Sequence, residues 1–250
     1  MAAVLETQAL CKSFGALTVA DHIDFRLEAG ARHALIGPNG AGKTTFVNML
    51  MGAVRPTSGR ILLGAEDVTR APQAARVKKG LGRTFQVTSL FRSLPLVDNV
   101  ALAVAERRGT AHKMWRPAAW HKDVRDESLE LLSMLGLGDD AQVRVADLPY
   151  GKQRLVEIAI ALGLRPKVLL LDEPAAGVPS EESNRILTTL DKLPADIAIL
   201  IIEHDMDLVF RFARRITVLV QGQVLVEGPP TEIARDRRVH EVYLGEGQHG

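Results

Sequence analysis

The chain is 250 residues long, 46% hydrophobic and 24% charged, which suits a soluble globular protein with a substantial core. Its 31 basic and 30 acidic residues leave a formal net charge of +1 without a polybasic tail, which excludes general electrostatic capture of nucleic acid. The single cysteine, Cys11, excludes an internal disulfide framework, suits a reducing cytosol and reads as a small buried hydrophobe.

From the N-terminus, Met1 to Leu5 meets Glu6 before any apolar core develops, so no secretory signal is expected. Val4 to Leu10 and Ile23 to Leu27 alternate as strands, and Arg60 to Leu63 follows the turn Pro56-Thr57-Ser58-Gly59. These three are expected to form a small antiparallel sheet. Between the first two, Phe14 precedes Gly15 and is either a core aromatic or a ring that stacks on a base.

Arg32 to Ile36 reads as a short buried strand and Thr45 to Met51 as a helix. Between them lies Gly37-Pro38-Asn39-Gly40-Ala41-Gly42-Lys43-Thr44-Thr45. This matches G-x-x-x-x-G-K-[ST] in full, the loop that cradles nucleotide phosphates. Its glycines let successive backbone N–H groups turn toward an anion, and the following helix N-terminus adds partial positive charge. Lys43 is placed to reach the β- and γ-phosphates and Thr44 to ligate Mg²⁺. A nucleoside triphosphate is the expected ligand.

From Ala71 to about Leu164 the pattern becomes helices broken by loops. Gly80 to Gln86 reads as a strand running into a loop, and Val87 to Pro95 carries apolar side chains without a period. That stretch is either packed inward or a surface for a partner. Glu106 to Trp120 is irregular and basic, an expected exposed loop, and Lys122 to Leu135 returns to helical spacing before Gly136. Leu155, Ile158, Ala159 and Leu162 put an amphipathic helix over Gly151 to Leu162, preceded by Leu148-Pro149-Tyr150.

Val168 to Leu171 and Ile197 to Ile202 are the longest apolar runs. Both fall far short of the roughly 20 residues that span a bilayer. They read as buried parallel strands. The first delivers Asp172-Glu173-Pro174 at a sheet edge, where α/β proteins place ligands, and the second delivers Glu203-His204. Between them a helix over Glu181 to Leu190 is expected, with Ser180 as its N-cap. Met206 to Ala213 gives another helix face and Val218 to Val226 a hairpin. His22, His33, His112, His121, His240 and His249 show no metal-ligand spacing and read as ordinary. The fold class is α/β, built around the phosphate loop.

In this order the motifs resemble the ATP-binding subunit of an ABC transporter along essentially the whole chain. Phe14 resembles the adenine-stacking aromatic, Gly37 to Thr45 the Walker A loop, and Gln86 the glutamine that contacts the Mg²⁺ shell and reports to the permease. Leu148 to Ala159 resembles the signature motif, Leu169 to Asp172 the Walker B strand, Glu173 the catalytic glutamate and His204 the switch histidine. The resemblance implies a single nucleotide-binding domain over residues 1–250. Its β-subdomain and RecA-like P-loop core take about residues 1–85 and 165–250, and a helical subdomain takes about 87–163.

It further implies an Mg²⁺-dependent ATPase with Glu173, His204 and Lys43 in the chemistry. Phe14, Gly37, Pro38, Asn39, Gly40, Ala41, Gly42, Lys43, Thr44, Thr45 and Gln86 would bind ATP, and Thr44, Gln86 and Asp172 the metal. Pro149, Tyr150, Gly151 and Lys152 would face the ATP of a second ATPase subunit, identical or related. Here Pro149 stands where the signature serine is usual, and Pro179 replaces the usual acid or amide of the D-loop.

The Tyr150-Gly151 pair, Arg83-Thr84-Phe85-Gln86, Asp172 to Gly177 and Val242 to Glu246 resemble the branched-chain amino-acid importer ATPases, as does the basic insert near residues 105–125. This implies uptake of branched-chain or other hydrophobic amino acids, or related amides such as urea. The chain would be cytoplasmic, peripheral on the inner face of the membrane. Permease subunits would dock near Gln86 to Pro95 through Leu90, Phe91 and Leu94, a substrate-binding protein would act indirectly, and nucleic acid would not be a partner. An ATP-operated scaffold and an ABC ATPase of another pathway (lipid export or non-transport assembly) are the alternatives.

Overall fold

The computed structural model describes residues 3–84, 90–110 and 122–245. The chain divides into two compact units, one comprising Met1–Leu81, Lys167–Glu173 and Ala195–Gly250, the other Gly82–Pro166 and Pro174–Pro194.

The first unit holds two sheets. Strands β1 (Ala3–Phe14), β2 (Leu17–Glu28), β4 (Ser58–Leu63) and β5 (Glu66–Asp67) form an antiparallel sheet in the order β2-β1-β4-β5. In β2 exposed and buried residues alternate from Ile23 to Glu28, as a sheet with one wet face requires. The second sheet runs β10-β9-β3-β8-β7-β6, from β3 (Arg32–Ile36), β6 (Leu81–Arg83, of which Leu81 belongs to this unit), β7 (Val168–Asp172), β8 (Ala198–Ile202), β9 (Arg215–Val220) and β10 (Gln223–Gly228). β3 pairs in parallel with β8 and β9, and β7 with β8, whereas β9 and β10 form the expected antiparallel hairpin.

Every residue of β3, β7 and β8 is buried, which explains the unalternating apolar runs Ala34–Ile36, Val168–Leu171 and Ala198–Ile202; Arg32, His33 and Asp172 are the polar residues buried with them. Each large aliphatic chain removed from water there contributes about 1.5–3 kcal/mol. Helix α1 (Lys43–Met51) buries Phe46, Val47, Met49, Leu50 and Met51, and Phe46 meets Phe25 edge-on with centroids 5.6 Å apart. The short α2 (Gln73–Lys78), α7 (Met206–Phe212), α8 (Pro230–Ile233) and α9 (Arg237–Gly245) complete the unit.

The second unit is helical. It comprises α3 (Leu96–Arg107), α4 (Lys122–Met134), α5 (Tyr150–Gly163), α6 (Ser180–Asp191) and a 3₁₀ turn at Val145–Asp147. Leu155, Ile158, Ala159 and Leu162 are buried on α5, as their spacing predicts. The absence of a side chain at Gly163 brings α5 against α3, where an added Cβ would lie 3.3 Å from Ala103 and Val104. Glu127 of α4 gathers Arg107, Arg108 and Arg165 within 2.9 Å.

Three expectations change. Glu106 and Arg107 end a helix rather than begin an irregular stretch, because Val97, Val100, Ala101 and Val104 give α3 a buried face. Ser180 is the first helical residue of α6, not its cap, because Pro179 with φ −57° and ψ 149° takes the extended cap position. Strands β1 and β2 run to 12 residues each, accommodated by bulges in their pairing. Phe85 and Gln86, and the basic stretch from 111 to 120, lie outside the described residues.

Candidate functional site

The phosphate loop joins β3 to α1 within the first unit. Gly37 has φ +152°, Gly40 +76° and Gly42 +100°, conformations that L side chains rarely adopt. At two of them space is also closed: a Cβ on Gly37 would collide with the Leu219 carbonyl oxygen and one on Gly42 with that of Val19. The glycines therefore let the loop turn and let it pass directly against neighbouring backbone.

Gly42 caps α1 in the left-handed conformation with no side-chain hydrogen bond, and the first turn holds no acidic residue. The helix's own first turn thus brings no carboxylate to its leading N–H groups, which favours an anion at the helix start. Lys43 follows and bends back over the loop, its Nζ donating to the carbonyls of Gly37 (2.5 Å) and Pro38 (3.0 Å). Thr44 is exposed, Thr45 and Pro38 are half-buried, Asn39 and Gly40 are exposed, and Ala41 is buried. Phe14, at the end of β1, is 51% exposed, with the Lys12 ammonium 4.7 Å from its ring centre. Its ring is therefore open to a stacking partner rather than part of the core.

Parallel register aligns the strand ends. Leu35 of β3 faces Ile202 of β8, and Ile202 faces Asp172 of β7. The residues after these ends are consequently delivered to one edge: Gly37 after β3, Glu173 after β7 and His204 after β8. Glu173 donates its N–H to the Ile202 carbonyl at 2.9 Å and adopts φ +45°, a strained conformation for a residue with a Cβ. Its Oε1 lies 3.4 Å from His204 Nδ1. Asp172 is buried, and His204 is 66% exposed. The neighbouring Glu203 is buried, and its carboxylate accepts the His204 N–H at 3.3 Å. An acid and an imidazole thus stand together at the sheet edge that carries the phosphate loop, an arrangement suited to activating and orienting water.

Residues Pro149 to Lys152 belong to the second unit. Pro149 caps α5 without a side-chain hydrogen bond, and the first turn again lacks an acid. Tyr150 is 40% exposed, and the Arg154 guanidinium lies 5.0 Å from its ring centre. Gly151 packs on Glu182 of α6, and the Lys152 ammonium donates to Asp140 at 2.6 Å. The two side chains that differ most from the usual signature are therefore engaged within their own unit.

Two functional supports were not read from the sequence. Arg76 is 1% exposed and donates to the carbonyls of Met49 and Leu50 (both 2.6 Å), Thr69 (3.0 Å) and Ala71 (3.0 Å). It thereby ties down the far end of α1 with a positive charge at the negative end of the helix. Asn99, 2% exposed, accepts from the Phe91 N–H (2.9 Å) and donates to the carbonyls of Phe91 (3.1 Å) and Pro95 (3.0 Å). This side chain folds the segment before α3 and leaves the Phe91 ring 59% exposed. The available signal was a polar residue set among apolar neighbours, Arg76 between Ala75 and Val77 and Asn99 between Val97 and Val100.

Residues 20–176 match the family described as ABC transporter, and residues 223–249 match the branched-chain amino acid ATP-binding cassette transporter family. The chain is 35% identical to the high-affinity branched-chain amino acid transport ATP-binding protein BraF of Pseudomonas aeruginosa over 251 residues, 97% of this chain and 98% of that protein. It is likewise 35% identical to LivG, of the same description, from Escherichia coli over 254 residues, 97% and 98% of the two chains. Among solved structures, a nucleotide-free ATP-binding cassette from an ABC transporter matches with a TM-score of 0.85 at 27% identity, covering 96% of this chain and 98% of that one. The ADP conformation of an ATP-binding cassette from an ABC transporter matches with a TM-score of 0.86 at 28% identity, covering 98% and 100%.

Proposed function

The chain belongs to the ABC transporter family as an ATP-binding cassette, and from that premise we propose that it hydrolyses ATP to drive uptake of branched-chain or other hydrophobic amino acids, or of related amides such as urea. Its relatives BraF and LivG are named for high-affinity branched-chain amino acid transport, which supports the importer assignment. Among the described residues no helix is long and apolar enough to cross a membrane. In the proposed importer the chain works from the cytoplasmic face, seated on separate permease subunits that a substrate-binding protein supplies. Phe91, Leu90 and Leu94 form the docking patch, with Gln86 beside them in sequence.

The observation that carries the catalytic reading is the pairing of Glu173 with His204, 3.4 Å apart, at the strand-end edge that also carries the phosphate loop. ATP stacks its base on Phe14 and lays its phosphates across the backbone from Gly37 to Thr45 and the start of α1. Lys43 turns from its loop carbonyls to the phosphates. The exposed Thr44 hydroxyl and the Asp172 carboxylate are a hard-oxygen donor set that fits Mg²⁺, with Gln86 as a further ligand. That ion would neutralise charge on the phosphates.

Glu173 accepts a proton from a water whose oxygen bonds to the γ-phosphorus, and the bond from that phosphorus to the β–γ bridging oxygen breaks. His204 orients the γ-phosphate and the glutamate. Positioning and charge stabilisation of this kind supply most of the rate in phosphoryl transfer. Pro149, Tyr150, Gly151 and Lys152 of a second subunit close the site; Pro149 has no N–H to give, so Tyr150, Gly151 and Lys152 donate backbone N–H groups from the start of its α5 in place of a serine hydroxyl.

Glu173→Gln is expected to lower steady-state phosphate release by about 10³-fold, within the range for loss of a general base, while retaining ATP binding. Wild-type turnover in that variant, measured with Mg²⁺ and cognate permease present, would refute the assignment. Omitting Mg²⁺ from the wild-type assay tests the metal requirement separately.

A further inference from the structure

We propose that Cys11, Asp21 and His22 form a surface site for one borderline or soft divalent cation of the Zn²⁺ type, apart from the nucleotide. One ligand atom from each lies within 4.8 Å of the others. The strand pairing explains how they meet. Leu10 faces Ile23 and Lys12 faces Ala20, so Cys11 alone in β1 opposes both Asp21 and His22 in β2. In a regular strand those two neighbours would point to opposite faces. The bulge, with His22 at φ +49°, turns both toward the thiol. Cys11 is thus not the buried hydrophobe its sequence suggests: it is half-buried, and its sulfur accepts the His22 N–H at 3.2 Å.

The donor set selects the ion. Thiolate and imidazole favour Zn²⁺, Cd²⁺ and Co²⁺ over Mg²⁺ and Ca²⁺, and three protein ligands leave a fourth tetrahedral position for water. Asp21 is already oriented: its Oδ2 accepts from Gln223 Nε2 of β10 at 2.6 Å, the supporting contact that ligating carboxylates ordinarily have. His22 Nδ1 lies 2.6 Å from Asp21 Oδ1, and a tetrahedral ion would separate such a nitrogen and oxygen to about 3.3 Å. The His22 side chain, 74% exposed, is free to make that small rotation. On binding, the thiol proton leaves to solvent and the imidazole proton resides on Nε2, so that Sγ, Nδ1 and Oδ1 each present a lone pair.

The site is also joined to the phosphate loop. Asp21 donates its N–H to the Gly222 carbonyl, and Gly222 donates its own N–H to the Ala41 carbonyl, both at 2.9 Å.

The chain contains one cysteine, so a sulfur-to-metal charge-transfer band can arise from Cys11 alone. Titrating Cd²⁺ or Co²⁺ into the full, nucleotide-free chain should give a saturable band at one equivalent, reversed by competing Zn²⁺. Cys11→Ser should abolish it. Asp21→Asn and His22→Asn should each weaken binding at least about 10-fold, and Gln223→Ala by about 10-fold, the usual cost of losing an outer support. Asparagine is chosen at His22 because it tolerates the left-handed backbone. Retained ATP binding in each variant checks the fold. Absence of the band in the wild type overturns the proposal. So does a band whose affinity is unchanged in both Asp21→Asn and His22→Asn, since that would report a thiol acting alone.

Discussion

Helices α1 and α5 begin alike and are held differently. Neither has a side-chain cap, and neither carries an acid in its first turn, in contrast to α6 with Glu181 and Glu182 there. At α1 the fixed surroundings are backbone: the carbonyls of Leu219 and Val19 press on Gly37 and Gly42, and Arg76 grips the far end. At α5 they are side chains, with Glu182 against Gly151 and Asp140 on Lys152. Backbone cannot swing aside without moving a strand, whereas a carboxylate end can change rotamer. The loop proposed to hold phosphates at fixed positions is walled by the stiffer material. The start of α5, proposed to meet a second subunit, has room to adjust.

The comparison breaks most visibly at Arg76. Arg76→Met keeps an unbranched apolar stem but strips four buried or part-buried carbonyl bonds of their donor, an expected loss of about 4 kcal/mol. A shift in the urea midpoint, together with faster hydrogen exchange in α1, would measure it. A loss below about 1 kcal/mol would show that α1 does not depend on this brace.

Next is His33, on the strand that delivers the loop. Burial pushes its pKa down from 6.5 to about 4, outweighing the Glu227 carboxylate, while Arg215 adds to the depression. Its Nε2 lies 2.8 Å from Thr217 Oγ1, and that hydroxyl donates to Glu227 at 2.6 Å. Between these two pH values the unfolded chain holds a proton that the folded chain refuses. Stability is therefore full above pH 6.5 and falls as pH drops toward 4, by about 3 kcal/mol from this group. Denaturation midpoints across that window should flatten in His33→Gln, and an unchanged slope would assign the loss to other groups.

The sharpest contrast comes from one substitution made at both helix starts. Gly42→Ala should weaken ATP binding about 100-fold, since the new Cβ meets the Val19 carbonyl and must displace the loop. Gly151→Ala meets the end of the Glu182 side chain, and ATP affinity of the single chain should stay within about 2-fold. Its expected cost is a several-fold fall in turnover with permease, recovered in the double variant Gly151→Ala with Glu182→Ala. Equal effects of the two alanines on ATP affinity would erase the distinction.

How much of this was legible before the structure depends on the range of the interactions. The phosphate loop, the apolar strands and the spacing on α5 are local patterns, so their periods and glycines sufficed. Parallel pairing brought Glu173 beside His204 from 31 positions away in the chain, and only the motif order hinted at it. Arg76 and Asn99 were missed because a polar residue within a helix normally faces water, and their partners are backbone carbonyls that no sequence pattern displays. The grouping at Cys11 was missed for another reason. The expected strands ended at Leu10 and began again at Ile23, so Cys11, Asp21 and His22 lay outside both, and the longer bulged pairing that brings them together is set by tertiary contact rather than by residue type.

Asn99 gives the smallest expected effect and separates folding from coupling. Its amide closes the segment from Phe91 to Pro95 from the buried side, while Phe91 itself faces solvent. Asn99→Ala should therefore cost only about 1 kcal/mol, because water can take over several of these bonds once the segment loosens. Hydrogen exchange should rise at Phe91 and Leu94 and remain unchanged in α1. Basal ATP hydrolysis by the isolated chain should persist, whereas stimulation by permease should fall several-fold, because Phe91 would no longer be held in one orientation for docking. Phe91→Ala, which leaves the Asn99 clamp in place, should lose the same stimulation without the change in exchange. If permease stimulation survives in both variants, the segment before α3 is not where the partner is read.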